Sequence, residues 1–481
     1  MEDETEDITT HLESASPEYG STFQAFDCEF LTLDDIYVLI GLGPVQCLYW
    51  LLTFLLSFSG YAEMIIFSVI LPSLRCEWNF NSVFEVSIAV SSFASYALFT
   101  ALFGSVADKY GRKTVIRWST LVLLLAGIVA AVSPNIWVFL VSRLITGAGV
   151  GVNMSCIVCY STEFAESRYR VYGVILFMLS EAVALVTVNG VASAVLETVG
   201  WRWLIIFTSL PAVIALIMIF VLPESPRFLC VSGQERKAMH AVMFMARLNG
   251  KEIPENVQMK CYEGKNLGSY SMILNDENIM TTIGLSAIYL CNIFIETGLI
   301  VLLPLLFNNH FSVFLPSKMK CRLLSEDDMS KITLISIGSV FGIIAALVFA
   351  QIIGRLKPLR IASFLSAILM GSLFLCQCAS CDESAISIIT SFTKLTESFA
   401  ITLIWIMIPE SFPTNMRSTA TGFINCWGKV GGLLGAMLVY LLYMNVDSYS
   451  VFGMFLFVTF LTCAGTMMYD KETKHEVLRD I

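Results

Sequence analysis

Gly104-Ser105-Val106-Ala107-Asp108-Lys109-Tyr110-Gly111-Arg112-Lys113 follows one long apolar run, and Gly354-Arg355-Leu356-Lys357 follows another, with the two Gly-Arg pairs 243 residues apart. A second pair of marks recurs with nearly the same offset. Glu163 and Arg170 close a later apolar run, and Glu410 and Arg417 close its counterpart 247 residues further on, each acid seven residues ahead of its arginine. Two independent repeats in equivalent places are a poor match for chance. The chain reads as an internal duplication.

Working outward from these marks, the intervening segments are apolar enough to need lipid as their solvent. Hydrophobic residues make up 56% of the 481, charged residues 14%, and mean hydropathy is +0.74, more than a water-soluble core of this length requires. A bilayer core takes about 20 apolar residues per helical crossing. Twelve runs of that length emerge, near 46–73, 86–106, 114–132, 136–160, 171–196, 203–222, 279–306, 331–353, 360–378, 385–408, 418–443 and 449–469. Most are apolar all round, as helices between lipid and other helices are, and none alternates as β-barrel strands do. The expected organisation is an acidic tail and pre-helix at 1–45, a six-helix half at 46–222, a linker with one or two short helices at 223–278, a second six-helix half at 279–469 and a tail at 470–481.

Basic residues set the orientation. With the N-terminus in the cytoplasm, 20 Lys and Arg fall on inner loops and tail and six on outer loops (Arg75, Arg202, Lys318, Lys320, Arg322 and Lys331); discounting the seven in the long linker leaves 13 to six. Both termini are therefore expected in the cytoplasm. The first 45 residues carry many acids and no base, so they read as a solvated tail rather than a removable signal, and the net charge of −10 argues against nucleic acid as a partner. The sequon Asn153-Met154-Ser155 lies inside the fourth span, out of reach of glycosylation.

The stretch from Gly104 to Lys113 resembles the signature loop between the second and third spans of the major facilitator superfamily, and Arg143 with Gly147 and Gly149 resembles its fourth-span motif. Pro223-Glu224-Ser225-Pro226-Arg227, Pro409-Glu410-Ser411-Phe412-Pro413-Thr414 with Arg417, and Glu472-Thr473-Lys474 are similar to its sugar-porter and organic-ion branches. Several further stretches, among them Asp34-Asp35, Glu63-Met64, Cys76-Glu77-Trp78, Gly200-Trp201-Arg202-Trp203 and Leu324-Ser325-Glu326-Asp327-Asp328, resemble the synaptic vesicle 2-related subgroup. The resemblance implies an all-α membrane protein with the major facilitator fold, twelve transmembrane helices in two six-helix halves, and a vesicle or other endomembrane address, with the plasma membrane as the alternative. It also implies that Asp108 is held to the start of the eleventh span near Ser418 and Thr419, latching a cytoplasmic gate. The chain departs from the pattern at Gly60, where the subgroup tends to have an acid, at Gln351, where the second loop signature should carry Asp, and at Asp470, where the tail usually has Pro.

Gate candidates are thus Asp108, Gly111, Arg112, Glu163, Arg170, Gly354, Arg355, Glu410 and Arg417. Candidates for substrate or a coupling ion are the acids inside spans, Glu63, Glu181, Glu296 and Glu397, with Arg143. An ionised side chain at the bilayer centre costs about 2.5–3.5 kcal/mol, so each must face water, a base or a ligand. Glu397 stands three residues from Lys394 and is placed to pair with it on one helix face. Depth favours Glu63 and Glu296 as a cation or proton site; the alternative is that each merely pairs within the packing. Tyr61, Tyr289, Trp405 and Trp427 are aromatic candidates for contact with an organic solute. All four histidines lie outside the spans, so a coupling proton would ride on Glu. Cys156 and Cys159 read as small packing residues, while Cys378 and Cys381 are the candidates for a disulfide on the outer side.

Enzyme signatures, metal-ligand spacings and cofactor motifs are absent from the sequence. The expected function is transport of a small organic solute, with an organic cation as the leading class and protons or another ion as coupling partner. The alternative is a transporter-like membrane protein that binds a ligand or partner in vesicle traffic without turnover.

Overall fold

The structure, a computed structural model, describes residues 30–473 apart from 79, 81, 167–168, 196–197, 254–257, 260, 262–266, 308–325, 380–382 and 447. Most of the acidic tail, the outer-loop bases Lys318, Lys320 and Arg322, and Cys381 of the expected disulfide lie outside the described residues.

Twelve long helices follow the twelve apolar runs. They are α1 (Pro44–Trp78), α2 (Ser82–Tyr110), α3 (Arg112–Ala131), α4 (Ile136–Thr162), α5 (Arg170–Val195), α6 (Trp201–Val221), α7 (Ile279–Phe307), α8 (Glu326–Ile352), α9 (Leu356–Cys378), α10 (Glu383–Ser411), α11 (Arg417–Asn445) and α12 (Ser448–Met468). Eleven have a described stretch long and apolar enough to cross a membrane; for α8 that stretch is the shorter Ile337–Ile352.

How each helix meets its surroundings follows from its side chains. α6 buries Leu204, Ile205, Ala215 and Ile219 while leaving Leu210, Ile214, Ile217 and Val221 exposed, the division expected of a helix with protein on one side and lipid on the other. α4 and α10 are enclosed on every side at equivalent points, with all residues buried from Gly149 to Ala165 and from Thr396 to Pro409. Close approach of α2 and α11 rests on glycine: a Cβ on Gly104 would stand 2.3 Å from the Ser418 carbonyl oxygen, and one on Gly422 would stand 2.2 Å from that of Thr100.

The polar segments gather on one face, called here the linker face. The linker holds three short helices, Pro226–Val231, Glu235–Leu248 and the single turn Tyr270–Ile273. A further helix, Leu33–Ile40, precedes α1; Thr32 and Asp35 cap it reciprocally, and its Leu33, Ile36, Tyr37 and Ile40 are buried. Phe30 and Leu31 pair in parallel with Gln258 and Met259 of the linker, tying the start of the described chain to it.

Candidate gate and binding chamber

Two turns on the linker face, between α2 and α3 and between α8 and α9, are built alike. Gly111 and Gly354 have φ of 100° and 116°, a conformation that side chains disfavour. Each turn exposes the first amides of the next helix to a carboxylate. Glu224 accepts from the Lys113 amide at 3.0 and 3.1 Å, and Glu472 accepts from the Arg355 amide at 2.9 Å and the Leu356 amide at 3.0 Å. A Cβ on Gly111 would come within 2.4 Å of Glu224 Oε2, and one on Gly354 within 2.9 Å of Glu472 Oε2. A negative charge at a helix N-terminus is stabilising. Burial pushes the Glu224 carboxyl above its ordinary value, against the opposing pull of the Lys113 and Ser225 amides and the nearby Arg112.

From the first turn a latch crosses to the other half. Asp108 accepts from the Ser418 amide at 3.2 Å, from the Thr419 amide at 2.7 Å and from the Thr419 hydroxyl at 2.8 Å, so it caps the start of α11. Arg112 reaches Asp108 at 2.9 Å, Glu163 at 3.2 Å and the Thr414 carbonyl at 2.6 Å. Arg417 closes the network by pairing with Glu163 at 3.0 Å and donating to the Pro409 and Phe412 carbonyls. The side chains of Asp108, Arg112, Glu163 and Arg417 are each no more than 1% exposed. Deeper in, Asn425 donates to the Thr100 hydroxyl at 3.2 Å, and Cys159 Sγ meets the Thr421 hydroxyl at 3.2 Å. The bonds from Asp108 to Ser418 and Thr419, Arg112 to Thr414, Arg417 to Glu163, Asn425 to Thr100 and Cys159 to Thr421 join the two halves, so the linker face is shut along α2, α4 and α11.

The matching residues elsewhere on that face do something different. Arg355 forms a two-pronged pair with Glu410, at 3.0 and 3.2 Å, and Thr473 donates to the same carboxylate at 2.7 Å; all three belong to the second half. Gln351, at the place of Asp108, is exposed. Arg170, at the place of Arg417, pairs at 3.1 Å with Asp34 of the pre-helix, which also holds Arg227. A narrow crevice lined by Thr162, Arg170, Val174, Ile406, Pro409 and Glu410 lies between Arg170 and the acid its symmetry would give it. The seven-residue Glu-to-Arg spacing therefore marks no local pair; Glu163 and Arg170 part, as do Glu410 and Arg417.

Between the halves, six helices converge on a polar, aromatic-walled centre. Tyr61 of α1, Tyr96 of α2, Phe177 and Glu181 of α5, Tyr289 and Glu296 of α7, Lys394 and Trp405 of α10, and Lys429 of α11 meet there. Trp405 donates to the Tyr289 hydroxyl at 3.1 Å, and their rings meet edge to face. Lys394 lies 3.7 Å from the Glu296 carboxylate and donates to the Glu296 carbonyl at 3.2 Å. The Lys429 ammonium lies 4.7 Å from the centre of the Tyr96 ring. Glu181 of α5 and Lys429 of α11 are each partly exposed.

Two of the predicted acids face elsewhere. Glu63 points into its own half, where Arg143 reaches its carboxylate at 3.0 Å and its carbonyl at 3.1 Å, and Ser209 donates at 2.9 Å. Glu397 is buried in the second half, hydrogen-bonded to Ser366 of α9, while Lys394 pairs with Glu296 instead. The structure thus brings together Glu181 and Glu296, and not Glu63 with Glu296. Trp427 is exposed and stands edge-on to Phe423. Asn153 of the sequon is buried against Ser119 and Thr120.

The profile of the Major Facilitator Superfamily matches residues 50–436, most of the chain. The chain belongs to that superfamily. Among members, it is 27% identical over 462 residues to the synaptic vesicle 2-related protein of Xenopus laevis, covering 92% of this chain and 83% of that one. It is 24% identical over 446 residues to organic cation/carnitine transporter 7 of Arabidopsis thaliana, covering 84% and 87%. In fold it resembles the proton:xylose symporter XylE bound to 6-bromo-6-deoxy-D-glucose, with TM-score 0.73, 16% identity and coverage of 90% and 97%. Against the inward-open form of XylE from E. coli, at 15% identity and the same coverage of both chains, the TM-score falls to 0.61. The superfamily is one of transporters, not enzymes.

Asp34, Glu224, Glu472, Tyr96 and Lys429 had no assigned role in the sequence. Glu224 and Glu472 were within reach, since they are 248 residues apart, the same repeat as the gate residues. Nothing local marks Lys429 as chamber-facing, and Cys230 with Cys261, paired in the linker with Cα atoms 5.0 Å apart, had no spacing signal.

Proposed function

We propose that this chain carries a small organic solute across a membrane by alternating access, binding it in the chamber between the halves while the linker face is latched. The observation that carries this reading is the pairing of two features. Charged and aromatic side chains from both halves converge at the centre of an apolar bundle, where charge is costly unless it serves a ligand or a partner. The hydrogen bonds sealing one exit of that centre also run from one half to the other, so separating the halves on that face breaks them together.

In this reading the linker face is cytoplasmic, following the bias of basic residues, and the synaptic vesicle 2-related relatives favour a vesicle membrane. The name of the Arabidopsis relative supports an organic solute bearing a cationic group. Among the acids expected to serve a coupling ion, Glu63 is paired with Arg143 inside the first half.

The test is uptake of a labelled metabolite panel by purified protein in proteoliposomes, with and without a pH gradient. Accumulation of an organic solute, slowed by Asp108→Asn, is the expected result. Binding of a solute with no uptake under any gradient would instead select the non-transporting alternative.

A further inference from the structure

A cleft of about 400 Å³ opens on the linker face, between the end of α6 and the linker helix Glu235–Leu248. Val221, Leu229 and Phe244 make its apolar part, and Arg236, Lys237 and His240 its basic part. The linker helix is anchored beneath them by buried Ala238, Val242, Met245 and Ala246, so its bases are presented on a fixed support.

These bases are not neutralised by the protein. Among the described residues, Arg236, Lys237 and His240 have no carboxylate partner, and Lys237 donates only to the side-chain oxygen of Gln234, at 2.9 Å. Glu224, which also lines the cleft, is turned to the Lys113 and Ser225 amides. Two further bases flank the end of α6. Lys113 Nζ donates to the Phe220 carbonyl at 3.4 Å, and the Arg117 guanidinium lies 5.0 Å from the centre of the Phe220 ring. The buried Nε of Arg117 has no hydrogen-bond partner among the described residues.

Uncompensated bases call for an anion, and the apolar surface beside them says of which kind. Ile217, Phe220 and Val221 of α6 are 64%, 58% and 70% exposed, so the surface that meets lipid runs into the cleft itself. Trp118 of α3, one residue from Arg117, is exposed too, as tryptophans at a membrane interface are. We propose that the cleft binds a lipid whose headgroup carries a phosphomonoester, a phosphoinositide being the type, with the phosphate among Arg236, Lys237 and His240 and the acyl chains along α6. Basic pockets beside the ends of spans take such headgroups, and a phosphomonoester brings up to two charges to several bases where a phosphodiester brings one. The inference is independent of whether the chain transports.

The test is equilibrium binding of dioctanoyl lipids to the purified full chain in detergent. The probes are phosphatidylinositol 4-phosphate, phosphatidylcholine, and the phosphoinositide headgroup without its chains. Wild type should bind the phosphoinositide about ten-fold or more tighter than either of the others. Arg236→Gln with Lys237→Gln should remove that preference, whereas Arg247→Gln with Lys251→Gln, which takes two charges from exposed positions outside the cleft, should keep it. If the cleft pair fails to fold, Arg236→Gln alone and the wild-type ranking decide. Phosphatidylcholine bound as tightly as the phosphoinositide, or equal losses in the two double variants, would overturn the site. A headgroup that binds as tightly without its chains would overturn the lipid and make the ligand a soluble phosphate ester.

Discussion

The two sides of the linker face are built on the same glycine turn and differ in what they hold. On the α2–α11 side, Asp108, Arg112, Glu163 and Arg417 form a buried network that crosses between halves. On the other side, Arg355 and Glu410 pair inside one half, Gln351 is exposed, and Arg170 is held by Asp34 of the pre-helix. The lesson is that one side carries the latch and the other is free to be controlled by the segment before α1. A symmetric gate would spread the cost of opening over both.

The largest expected effect separates the two glutamates. Glu163→Gln removes the acid that pairs with Arg417 and leaves Arg112 with Asp108 alone in a buried site, and losing one partner of such a pair costs about 3–5 kcal/mol. Glu410→Gln leaves Arg355 its bond to the Ala350 carbonyl and should cost clearly less. Thermal unfolding of both variants in one detergent ranks them; equal losses would mean that the two sides share the load.

Next comes the latch acid. A charge capping a helix start in favourable geometry is worth up to ~2 kcal/mol, so Asp108→Asn should shift the balance away from the shut state by roughly 5–30-fold. Turnover falls and ligand binding survives. Gln351→Asp, at an exposed site, should leave that balance unchanged. Wild-type turnover by Asp108→Asn at normal membrane abundance would remove the asymmetry from the gate.

A subtler test concerns Asp34. If it competes with Glu410 for Arg170, removing it should let that cross-half pair form, and a double-mutant cycle on Asp34→Asn and Glu410→Gln should show a coupling of about 0.5–3 kcal/mol. Additive losses would make the pre-helix a passive prop.

The smallest effect lies on the opposite face, where Arg202, outweighing partial burial, and the Trp201 N–H hold Glu77 below its ordinary 4.5. A depressed carboxyl stabilises the fold above that ordinary value and loses the contribution as pH falls through the lower, folded value. The pair is more than a third exposed, so screening limits it to less than about 1 kcal/mol. Melting between pH 3 and 6, with and without Arg202→Gln, measures it.

The spans were legible because lipid imposes length and hydrophobicity on every crossing, and the repeat was legible because Gly111 with Arg112 and Gly354 with Arg355 keep the same turn. What each acid faces was not. Glu63 and Glu296 sit at similar depths, yet Glu63 turns into its own bundle; a helix apolar all round has no polar side to betray its orientation. The Glu163–Arg417 pair was hidden for a related reason. Spacing along the chain marks the repeat and says nothing of partners, and the packing of α4 against the start of α11 brings these two together.

Alternating access with a latched linker face is tested most directly by tying that face shut. Thr100 and Asn425 touch across the halves at 3.2 Å, so cysteines at both positions, with the native cysteines replaced, should oxidise to a disulfide. Transport should stop on oxidation, persist in each single variant and return on reduction, while solute binding continues throughout. Undiminished transport with the cross-link complete would contradict the account.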